Sequence, residues 1–536
     1  MAERRPDRVV IGVIDNGIAF AHARFRNAGG TRIEFLWRQD FMGGNSPWTP
    51  GVELTEAVIS PLVNAPGADE DAIYRNIGGL DYSQGGFKPL GLRRSHGTHV
   101  LDLAAGADPR DNVTDRPIIA VDMPDEAVGD PAGSTLTVHA ALGLIYILDR
   151  ASSLRRKDVD ETLPLVVNLS YGPSEGPHDG TSLLELVMDA LVPLAKAQKT
   201  PLKIVLAAGN FRQSRLHAKL SIDKAATKSL RWRLQPGCLT PSLMEIWLSK
   251  GANSLESVKL RAPNGESLTV TPADPFDESK DVNGNVLMQA RLLTAWPNGR
   301  LHLVLSVART AIDPAGTWGR AVAPSGLWMV DIANGGNAKL ELDAWIKRSD
   351  TPSGHRAKGR QSYFEDTADD DRRKKNGRPN EFDGKGRSVV RRHETLSGIT
   401  TGKSTLVIGG YRRGDKESDL HPAPYTSAGP HHSPTRGGRA PDWLEVSDDS
   451  IACRGALAAG TRSGSWVPMN GTSAAAPQAA RWIAAEWLRT GTSPGRPANL
   501  VQPKPKPDNP IPPEDLDDVV GYGLRPNQDR QRRTSS

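Results

Sequence analysis

Apolar residues occur along the chain in two patterns, and each predicts a different architecture. In the first part of the chain, short runs are apolar at consecutive positions, as in strands buried on both faces of a parallel sheet. These runs are Val9–Ile14, Ile118–Asp122, Leu163–Ser170 and Lys203–Ala208. Between them, Thr135–Ala151 and Ser182–Gln198 carry apolar residues at helical spacing. This alternation predicts an α/β domain with a mostly parallel sheet flanked by helices.

A second pattern begins after residue 211. From Leu230 to Trp345, short segments alternate apolar and polar residues and are separated by turn sequences such as Pro263-Asn264-Gly265. Regularly spaced short strands of this kind are typical of an antiparallel β-sandwich. The α/β pattern then returns with an apolar run at Thr405–Gly410 and a helical pattern at Ala474–Thr490. The sandwich is therefore predicted to be inserted into the α/β domain.

The two patterns also predict the domain boundaries. Residues 1–211 and 396–525 form the α/β domain, 212–347 the sandwich, 348–395 a charged flexible linker and 526–536 a polar tail. The linker prediction depends on a high content of Arg, Lys, Asp and Gly with few apolar residues. Asn27–Leu92 lacks periodicity and is rich in Gly, Pro and Asp, so we expect a long loop there.

Composition excludes several classes of protein. The chain has 536 residues, of which 38% are hydrophobic and 24% charged, as in globular proteins with more than one domain. A net charge of +5 is too small to indicate a nucleic-acid partner. The two cysteines, Cys238 and Cys453, exclude a disulfide framework. No apolar run approaches the roughly 20 residues of a membrane span, and Asp15 interrupts the N-terminal run too early for a signal peptide. We therefore expect a cytoplasmic protein with no membrane partner.

Four residues carry candidate chemistry, and each lies where a predicted strand ends or a predicted helix begins. They are Asp15 in Ile14-Asp15-Asn16-Gly17, His96 in Ser95-His96-Gly97-Thr98-His99, Asn210 in Ala208-Gly209-Asn210, and Ser473 in Gly471-Thr472-Ser473-Ala474. A serine hydroxyl needs a base to become a nucleophile, and an imidazole oriented by a carboxylate supplies one. An Asn amide and the N–H groups of a helix start can stabilise the resulting oxyanion. The four segments together provide every role for acyl transfer.

This chain order and these local sequences resemble the subtilisin-like serine proteases, or subtilases. The resemblance implies that Asp15, His96 and Ser473 form a catalytic triad and that Asn210 belongs to the oxyanion hole. It covers about residues 8–211 and 396–525 and leaves out the sandwich. Asn168-Leu169-Ser170-Tyr171-Gly172 is similar to the family's strand beside the primary specificity pocket. We expect substrate to bind there as an added strand, with contacts from Gly133, Ser134, Ser170, Tyr171, Gly172, Ala208 and Gly209.

The sequence departs from the family pattern at some positions. Asn16 stands where the family usually has Ser or Thr, and Leu101-Asp102 replaces a common Ala-Gly. Few residues precede Asp15, so we expect that the folded prodomain of the family's secreted members has either been removed or is replaced by another means of control. If so, we expect the proteolytic activity to be controlled by the sandwich, by the Arg348–Arg392 loop or by a regulatory protein partner.

Other residues receive plainer interpretations. His99 is expected to be a buried structural histidine, and Asp369–Asp371 a solvated part of the charged loop. No calcium-loop motif is present, so no cofactor or metal site is predicted, although structural calcium stays open. The walls of the primary pocket carry no fixed charge, which favours a neutral substrate side chain there.

The sequence thus predicts a serine endopeptidase that hydrolyses protein or peptide substrates. One alternative is a protein-binding module whose protease core is inhibited or activated by a partner. Another is a peptide ligase, because hydrolysis and acyl transfer to an amine pass through the same acyl-enzyme.

Overall fold

The computed structural model describes residues 5–40, 48, 50–80, 88–129, 134–156, 161–251, 254–312, 321–349, 359–370, 383, 388–413, 420–430, 438–449, 455–503, 511 and 513–526. The strands up to Ala207 are β1 (Val10–Asp15), β2 (Arg26–Asn27), β3 (Gly30–Thr31), β4 (Ile33–Arg38), β5 (Val52–Thr55), β6 (Ile118–Asp122), β7 (Leu165–Leu169) and β8 (Leu202–Ala207). The helices in this part are α1 (Glu56–Asn64), α2 (Glu70–Asn76), α3 (His96–Ala105), α4 (Asp125–Gly129), α5 (Ser134–Ser153) and α6 (Leu183–Ala197).

The middle of the chain is almost entirely β-structure. Its strands are β9 (His217–Ile222), β10 (Thr227–Leu234), β11 (Ser242–Leu248), β12 (Leu255–Arg261), β13 (Ser267–Val270), β14 (Phe276–Lys280), β15 (Val286–Thr294), β16 (Leu301–Val307), β17 (Gly326–Asn334), β18 (Leu340–Ile346), β19 (Tyr363–Phe364) and β20 (Val390–Arg391), with α7 (Thr367–Asp370). The last elements are β21 (Thr405–Arg413), β22 (Leu420–Pro422), β23 (Trp443–Asp448), β24 (Ala456–Ala459), β25 (Trp466–Met469), α8 (Thr472–Thr490) and α9 (Pro513–Val520).

One mixed sheet forms the centre of the α/β domain. Within the described residues its strand order is β22-β21-β8-β7-β1-β6-β4-β5, with β23 beside β21. β1 is parallel to both of its neighbours, β6 and β7. β5 and β22 at the two ends are antiparallel to the strands beside them. Because most strands are parallel, the carboxyl ends of β1, β7 and β8 lie along one edge of the sheet.

Helices cover both faces of this sheet. Successive side chains of a strand point to opposite faces, and in β1 both sets are buried. Ile11 and Val13 belong to the apolar core that contains residues of α3 and α8. Val10 and Ile14 belong to the core that contains residues of α5 and α6. A strand buried on both faces has no polar side, which is why β1 is recognisable as a continuous apolar run.

The inserted region is a sandwich of two antiparallel sheets. In the described residues one sheet has the order β13-β12-β17-β10-β19 and the other β14-β15-β16-β11-β18-β9-β20. Alternate residues of each strand point inward into one shared core, for example Leu230 and Trp232 from the first sheet and Met244 and Ile246 from the second. The predicted fold class, an α/β domain with a mostly parallel sheet and an inserted antiparallel sandwich, is confirmed.

Two sequence interpretations need correction or extension. The long loop predicted for Asn27–Leu92 is wrong, because the described part of this segment contains β4, β5, α1 and α2. Ser60 and Pro61 lie in the middle of α1 and interrupt its apolar pattern. In addition, two short strands lie within residues 348–395, where β19 pairs with β10 and β20 pairs with β9. The sandwich sheets therefore extend beyond residue 347.

None of the helices in the described part of the chain has the length and apolar character that crossing a membrane requires. Cys238 is buried and has a free thiol, which donates a hydrogen bond to the carbonyl oxygen of Thr240. Cys453 and Asp371, the last residue of the acidic run Asp369–Asp371, lie outside the described residues.

Candidate active site

Asp15 and His96 form a close pair at the carboxyl end of β1. Asp15 is fully buried, and its Oδ1 accepts a hydrogen bond from the N–H of Asn16 at 2.8 Å. The same oxygen lies 2.7 Å from Nδ1 of His96, the first residue of α3. The carboxylate therefore fixes the orientation of the imidazole ring and favours the tautomer that carries its proton on Nδ1.

The residues around His96 attach the start of α3 to the loop that follows β1. The N–H of Gly97 donates to the carbonyl oxygen of Asn16 at 2.8 Å. A Cβ atom at Gly97 would lie only 2.6 Å from that oxygen, so a larger residue does not fit. Thr98 Oγ1 donates to the carbonyl of Gly17 at 2.8 Å and accepts from the N–H of Ala19 at 2.9 Å. Gly97 and Thr98 of the sequence His-Gly-Thr therefore hold the start of α3, and with it His96, against the loop after β1.

Tyr171 lies against the other side of the histidine. The ring centroids of Tyr171 and His96 are 4.6 Å apart and the rings are inclined by 39°. The Tyr171 hydroxyl is buried without a hydrogen-bond partner among the described residues. Burial, together with the charge of Asp15, raises the pKa of Tyr171 well above its ordinary value. Tyr171 is therefore a neutral packing surface for the imidazole.

Ser473 is the second residue of α8 and faces the same space. Its hydroxyl donates to the carbonyl oxygen of Ser170 at 2.9 Å, and no hydrogen bond joins it to His96 within the described structure. The N–H of Ser473 belongs to the first turn of α8, where backbone N–H groups have no acceptor within the helix. The residue before α8, Gly471, has a φ of +121°, a backbone conformation that favours glycine.

Asn210 is held by the residue that precedes Ser473. Its Oδ1 accepts from the N–H of Thr472 at 2.9 Å and lies 3.2 Å from Thr472 Oγ1. A backbone N–H can only donate, so the amide oxygen must face it and Nδ2 must point the other way. A Cβ atom at Gly471 would come within 3.1 Å of that Nδ2. Glycine at this position leaves room beside the amide donor.

His96, Tyr171, Asn210 and Ser473 line one cavity of about 420 Å³, whereas Asp15 is fully buried and does not line it. Of the predicted site residues, His96, Ser473, Asn210, Ser170, Tyr171, Gly172 and Gly209 line it. Ala208 is fully buried behind the wall, where its carbonyl oxygen accepts from the N–H of Ser397 at 2.8 Å. Gly133 lies outside the described residues. Ser134 begins α5, and its side chain is outside the description as well.

The structure adds residues that the sequence argument did not assign to the site. Thr472 orients Asn210, and Ser397 and Phe211 line the cavity. Tyr425 accepts a hydrogen bond from the N–H of Gly471 at 3.0 Å, while its hydroxyl lies 2.6 Å from Asp448 Oδ2. Arg348 reaches the cavity from the sandwich side. The motif around Ser473 contains Thr472, but no local pattern marks Arg348 as a site residue.

His99 and Asp102 serve the fold. His99 is buried and lies 2.9 Å from the carbonyl oxygen of Ala456 through Nε2, and burial lowers its pKa to about 4. Burial alone would raise the pKa of Asp102, but the charges of Arg24 and Arg481 outweigh it, and the pKa lies below its ordinary value. Asp102 Oδ1 accepts from Arg24 Nε at 2.7 Å.

One group of candidate metal ligands occurs among the described residues, away from this cavity. Ligand atoms of His217, Asp343 and Glu394 all lie within 4.8 Å of one another. Lys219 Nζ is 3.1 Å from Glu394 Oε1, so an ammonium group already balances part of the negative charge there. We interpret this group as an ion-pair cluster between the sandwich and residue 394.

Comparison with known proteins decides the family. The model of the family described as "Subtilase family" matches residues 7–490. The chain belongs to the subtilase family. It is accordingly a subtilisin-like serine protease that acts on protein substrates.

The fold of this subtilase is also found in a solved structure. The CspB protease of Clostridium perfringens aligns with a TM-score of 0.60 and 19% identity, covering 97% of this chain and 93% of the other. The propeptide form of the Bacillus licheniformis lipase BlEst2 aligns with a TM-score of only 0.18 and 10% identity, over 65% of this chain and 75% of the other, and supports no argument. No curated protein sequence matches the chain.

Proposed function

We propose that this subtilase is an endopeptidase that cleaves peptide bonds through Asp15, His96 and Ser473, with Asn210 in the oxyanion hole. The observation that carries the proposal is the 2.7 Å contact between Asp15 and His96 beside a cavity that Ser473 and Asn210 also line. An imidazole, a serine at a helix start and an amide donor share one space of substrate size, and a buried carboxylate contacts the imidazole.

The carboxylate prepares the base. With its proton on Nδ1, directed at Asp15, the His96 ring leaves Nε2 free to accept the proton of the nucleophile. When the imidazole becomes positively charged, the buried Asp15 carboxylate stabilises that charge. His96 then returns the proton to the leaving amine. Tyr171, packed on the ring, helps to keep the imidazole in this orientation.

Substrate binding has a direct consequence for the nucleophile. The Ser473 hydroxyl donates to the Ser170 carbonyl in the resting structure. An extended substrate that adds as a strand along Ser170–Gly172 presents backbone N–H groups to the same carbonyl. The substrate then competes for this acceptor, and the released hydroxyl can rotate about its Cα–Cβ bond towards His96 Nε2. In this mechanism the nucleophile engages its base only when the cleft is occupied.

The oxyanion is stabilised from two sides. Attack on the scissile carbonyl moves negative charge onto its oxygen, and preorganised donors around that position lower the barrier. The N–H of Ser473 and the Nδ2 of Asn210 supply these donors, and Thr472 fixes the direction of the amide. The acyl group is then transferred from Ser473 either to water or to an incoming amine, and we propose water as the acceptor.

The resting bond between Ser473 and Ser170 also supports a second candidate, a protease core that needs a partner before it acts. A regulatory protein seated in the cleft would release the hydroxyl in the same way as substrate. Under this candidate the isolated chain hydrolyses no peptide. The free thiol of Cys238 agrees with the further proposal of a cytoplasmic, reducing location.

The test compares the full-length chain with its Ser473→Ala variant on a peptide library, with fragments identified by mass spectrometry. We expect hydrolysis by the parent and none by the variant, because the alanine has no nucleophile. Ser249→Ala is the matched control, since Ser249 is exposed and donates only to a backbone oxygen within the sandwich. Equal cleavage by Ser473→Ala and parent would refute the assignment. Ligated products would indicate acyl transfer to amines, and cleavage only with an added protein would favour the second candidate.

A further inference from the structure

A tyrosine hydroxyl holds the residue from which α8 starts. The N–H of Gly471 donates to the hydroxyl oxygen of Tyr425 at 3.0 Å. Gly471 is the N-cap residue of α8, and Thr472 and Ser473 follow it as the first residues of the helix. Tyr425 is half-buried and lines the catalytic cavity. Its side chain therefore fixes the backbone at the point where the helix that carries the proposed nucleophile begins.

A buried carboxylate makes the Tyr425 oxygen the acceptor in this bond. Asp448, the last residue of β23, is buried, and its Oδ2 lies 2.6 Å from the Tyr425 hydroxyl. A carboxylate only accepts and a phenol has one hydrogen, so that hydrogen is directed at Asp448. The lone pairs of the oxygen are then left for donors. One faces the N–H of Gly471, and Ser447 Oγ, 2.8 Å away, can donate to the other.

The phenol itself is neutral and firmly held. Burial and the charge of Asp448 raise the pKa of Tyr425 well above its ordinary value. The next residue, Thr426, is fully buried, and its Oγ1 accepts from the N–H of Gly410 in β21 at 2.9 Å. Its N–H donates to the carbonyl of Ala423 at 2.9 Å. The hydroxyl of Tyr425 is therefore attached to the edge of the central sheet.

Gly471 in turn defines the space around the Asn210 amide. A Cβ atom on Gly471 would lie 3.1 Å from Asn210 Nδ2, so this glycine stands next to the proposed oxyanion donor. The following N–H, that of Thr472, donates to Asn210 Oδ1 at 2.9 Å. A shift of Gly471 would change both the room beside Nδ2 and the direction of the amide. Such a donor lowers the barrier only when it points at the place where the charge develops.

We infer that Tyr425 is a positioning residue for catalysis, which holds Gly471 so that the Asn210 amide meets the developing oxyanion. The inference rests on the proposed function and adds a residue to its machinery. Tyr425 acts through Gly471 and takes no part in proton transfer. Asp448 assists by keeping the hydroxyl hydrogen of Tyr425 turned away from the Gly471 N–H. Because the oxyanion forms only in the reaction, Tyr425 contributes to the transition state more than to substrate binding.

The experiment measures kcat and KM of full-length Tyr425→Phe on a peptide that the parent cleaves. The variant keeps the ring and loses only the hydroxyl. We expect kcat to fall about tenfold, the scale of one hydrogen bond, while KM stays nearly unchanged. A peptide aldehyde forms a tetrahedral adduct with a catalytic serine and so imitates the transition state. Its inhibition constant should rise by about the same factor as kcat falls.

Tyr411→Phe is the matched control. The buried Tyr411 hydroxyl donates to the carbonyl oxygen of Arg525 at 2.9 Å, and Tyr411 is not among the described residues that line the cavity. The same chemical change is thus made at a hydroxyl that has no contact with Gly471. Tyr411→Phe should keep the parent's kcat and its affinity for the aldehyde. Urea denaturation of both variants shows that each is folded under the assay conditions.

A double-mutant cycle with Asn210→Ala separates positioning from a general loss of packing. If Tyr425 acts through the Asn210 amide, removal of that amide leaves it little to position. Tyr425→Phe should then lower kcat by a clearly smaller factor in the Asn210→Ala background than in the parent. Independent effects would multiply instead.

Three results would overturn the inference. They are a parent-like kcat in Tyr425→Phe, a change confined to KM, and an equal factor with and without the Asn210 amide. All three leave the proposed function standing, because the parent still cleaves the peptide. Failure of the proposed function looks different: the parent cleaves no peptide and Ser473 does not react with a fluorophosphonate. That outcome would overturn the inference together with the mechanism it rests on.

Discussion

Thr472 and Asn210 are joined by two contacts, from the Thr472 N–H at 2.9 Å and from its hydroxyl at 3.2 Å, both to Asn210 Oδ1. They connect the start of α8 with the segment that follows β8. The Thr472 hydroxyl also accepts from the N–H of Gly209 at 3.1 Å. The residue before the proposed nucleophile therefore determines where the proposed oxyanion donor points.

This contact predicts the effect of Thr472→Val. The variant keeps the backbone N–H but loses the hydroxyl, so the Asn210 amide is less firmly oriented. We expect kcat to fall about tenfold or less, the scale of one hydrogen bond, with little change in KM. Asn210→Ala removes the donor itself. Loss of this donor in subtilisin costs about 10²–10³ in kcat, and we expect the same order here.

Steady-state kinetics of both variants and of Thr472→Ser test this prediction. The serine keeps a hydroxyl and should retain most of the parent's kcat. A Thr472→Val variant that is slower than Asn210→Ala, or one that changes only KM, would argue against this role for Thr472.

Asp15→Asn should abolish most activity without unfolding the protein. An amide can present a donor to His96 Nδ1, which stabilises the tautomer with its proton on Nε2 and removes the base. The equivalent change in a trypsin-type triad lowers kcat about 10⁴-fold, and we expect a loss of that scale. Asp108→Asn is the control, because Asp108 is a surface residue that pairs with Arg110. Retained activity in Asp15→Asn would contradict the proposed role of the carboxylate.

Tyr171→Phe should make the protein more stable. The Tyr171 hydroxyl is buried without a partner among the described residues, and an unsatisfied buried hydroxyl costs about 1–3 kcal/mol. Phenylalanine keeps the ring against His96 and removes that cost, so the free energy of unfolding should rise by about 1 kcal/mol. Urea denaturation measures the change, and a clear loss of stability would show that the hydroxyl has a partner after all.

His99 should make the stability depend on pH. Burial lowers the pKa of His99 from 6.5 to about 4. Between these two values the unfolded chain binds a proton at His99 that the folded chain does not. The stabilisation is therefore complete above pH 6.5 and is lost as the pH falls towards 4, by on the order of 3 kcal/mol. His22 acts in the same direction, because burial lowers its pKa too.

Urea denaturation of parent and His99→Gln between about pH 7 and pH 5 measures this effect. The variant has no imidazole to titrate, so it should lose less free energy of unfolding over the interval than the parent does. Equal losses in the two proteins would mean that His99 does not contribute to the pH dependence.

The proposed catalytic residues were predictable from sequence because each sits in a short local motif with its own structural reason. Gly97 and Thr98 attach α3 to the loop after β1, and Gly471 and Thr472 make room for Asn210 and orient it. These contacts restrict which residues can stand next to His96 and Ser473, so the local sequence can be recognised as a motif. The parallel sheet was predictable for a related reason, since strands buried on both faces are apolar throughout.

Other features of the structure have no local sequence motif, and some of them depend on packing between segments that are distant in the chain. Arg348 follows an ordinary sandwich strand, and only the docking of the sandwich beside Phe211 brings it into the cavity. The helix α1 was missed because Ser60 and Pro61 break its apolar spacing. The bond between Ser473 and Ser170 joins residues far apart in the chain and reflects one rotamer of one side chain.

The proposed triad is tested most directly by the site of reaction with a fluorophosphonate, read by mass spectrometry of the intact chain and its fragments. We predict one adduct per chain, on Ser473, that does not form in His96→Ala and persists in Ser249→Ala. An adduct on another serine, or equally fast labelling of Ser473 without His96, would contradict the proposed triad.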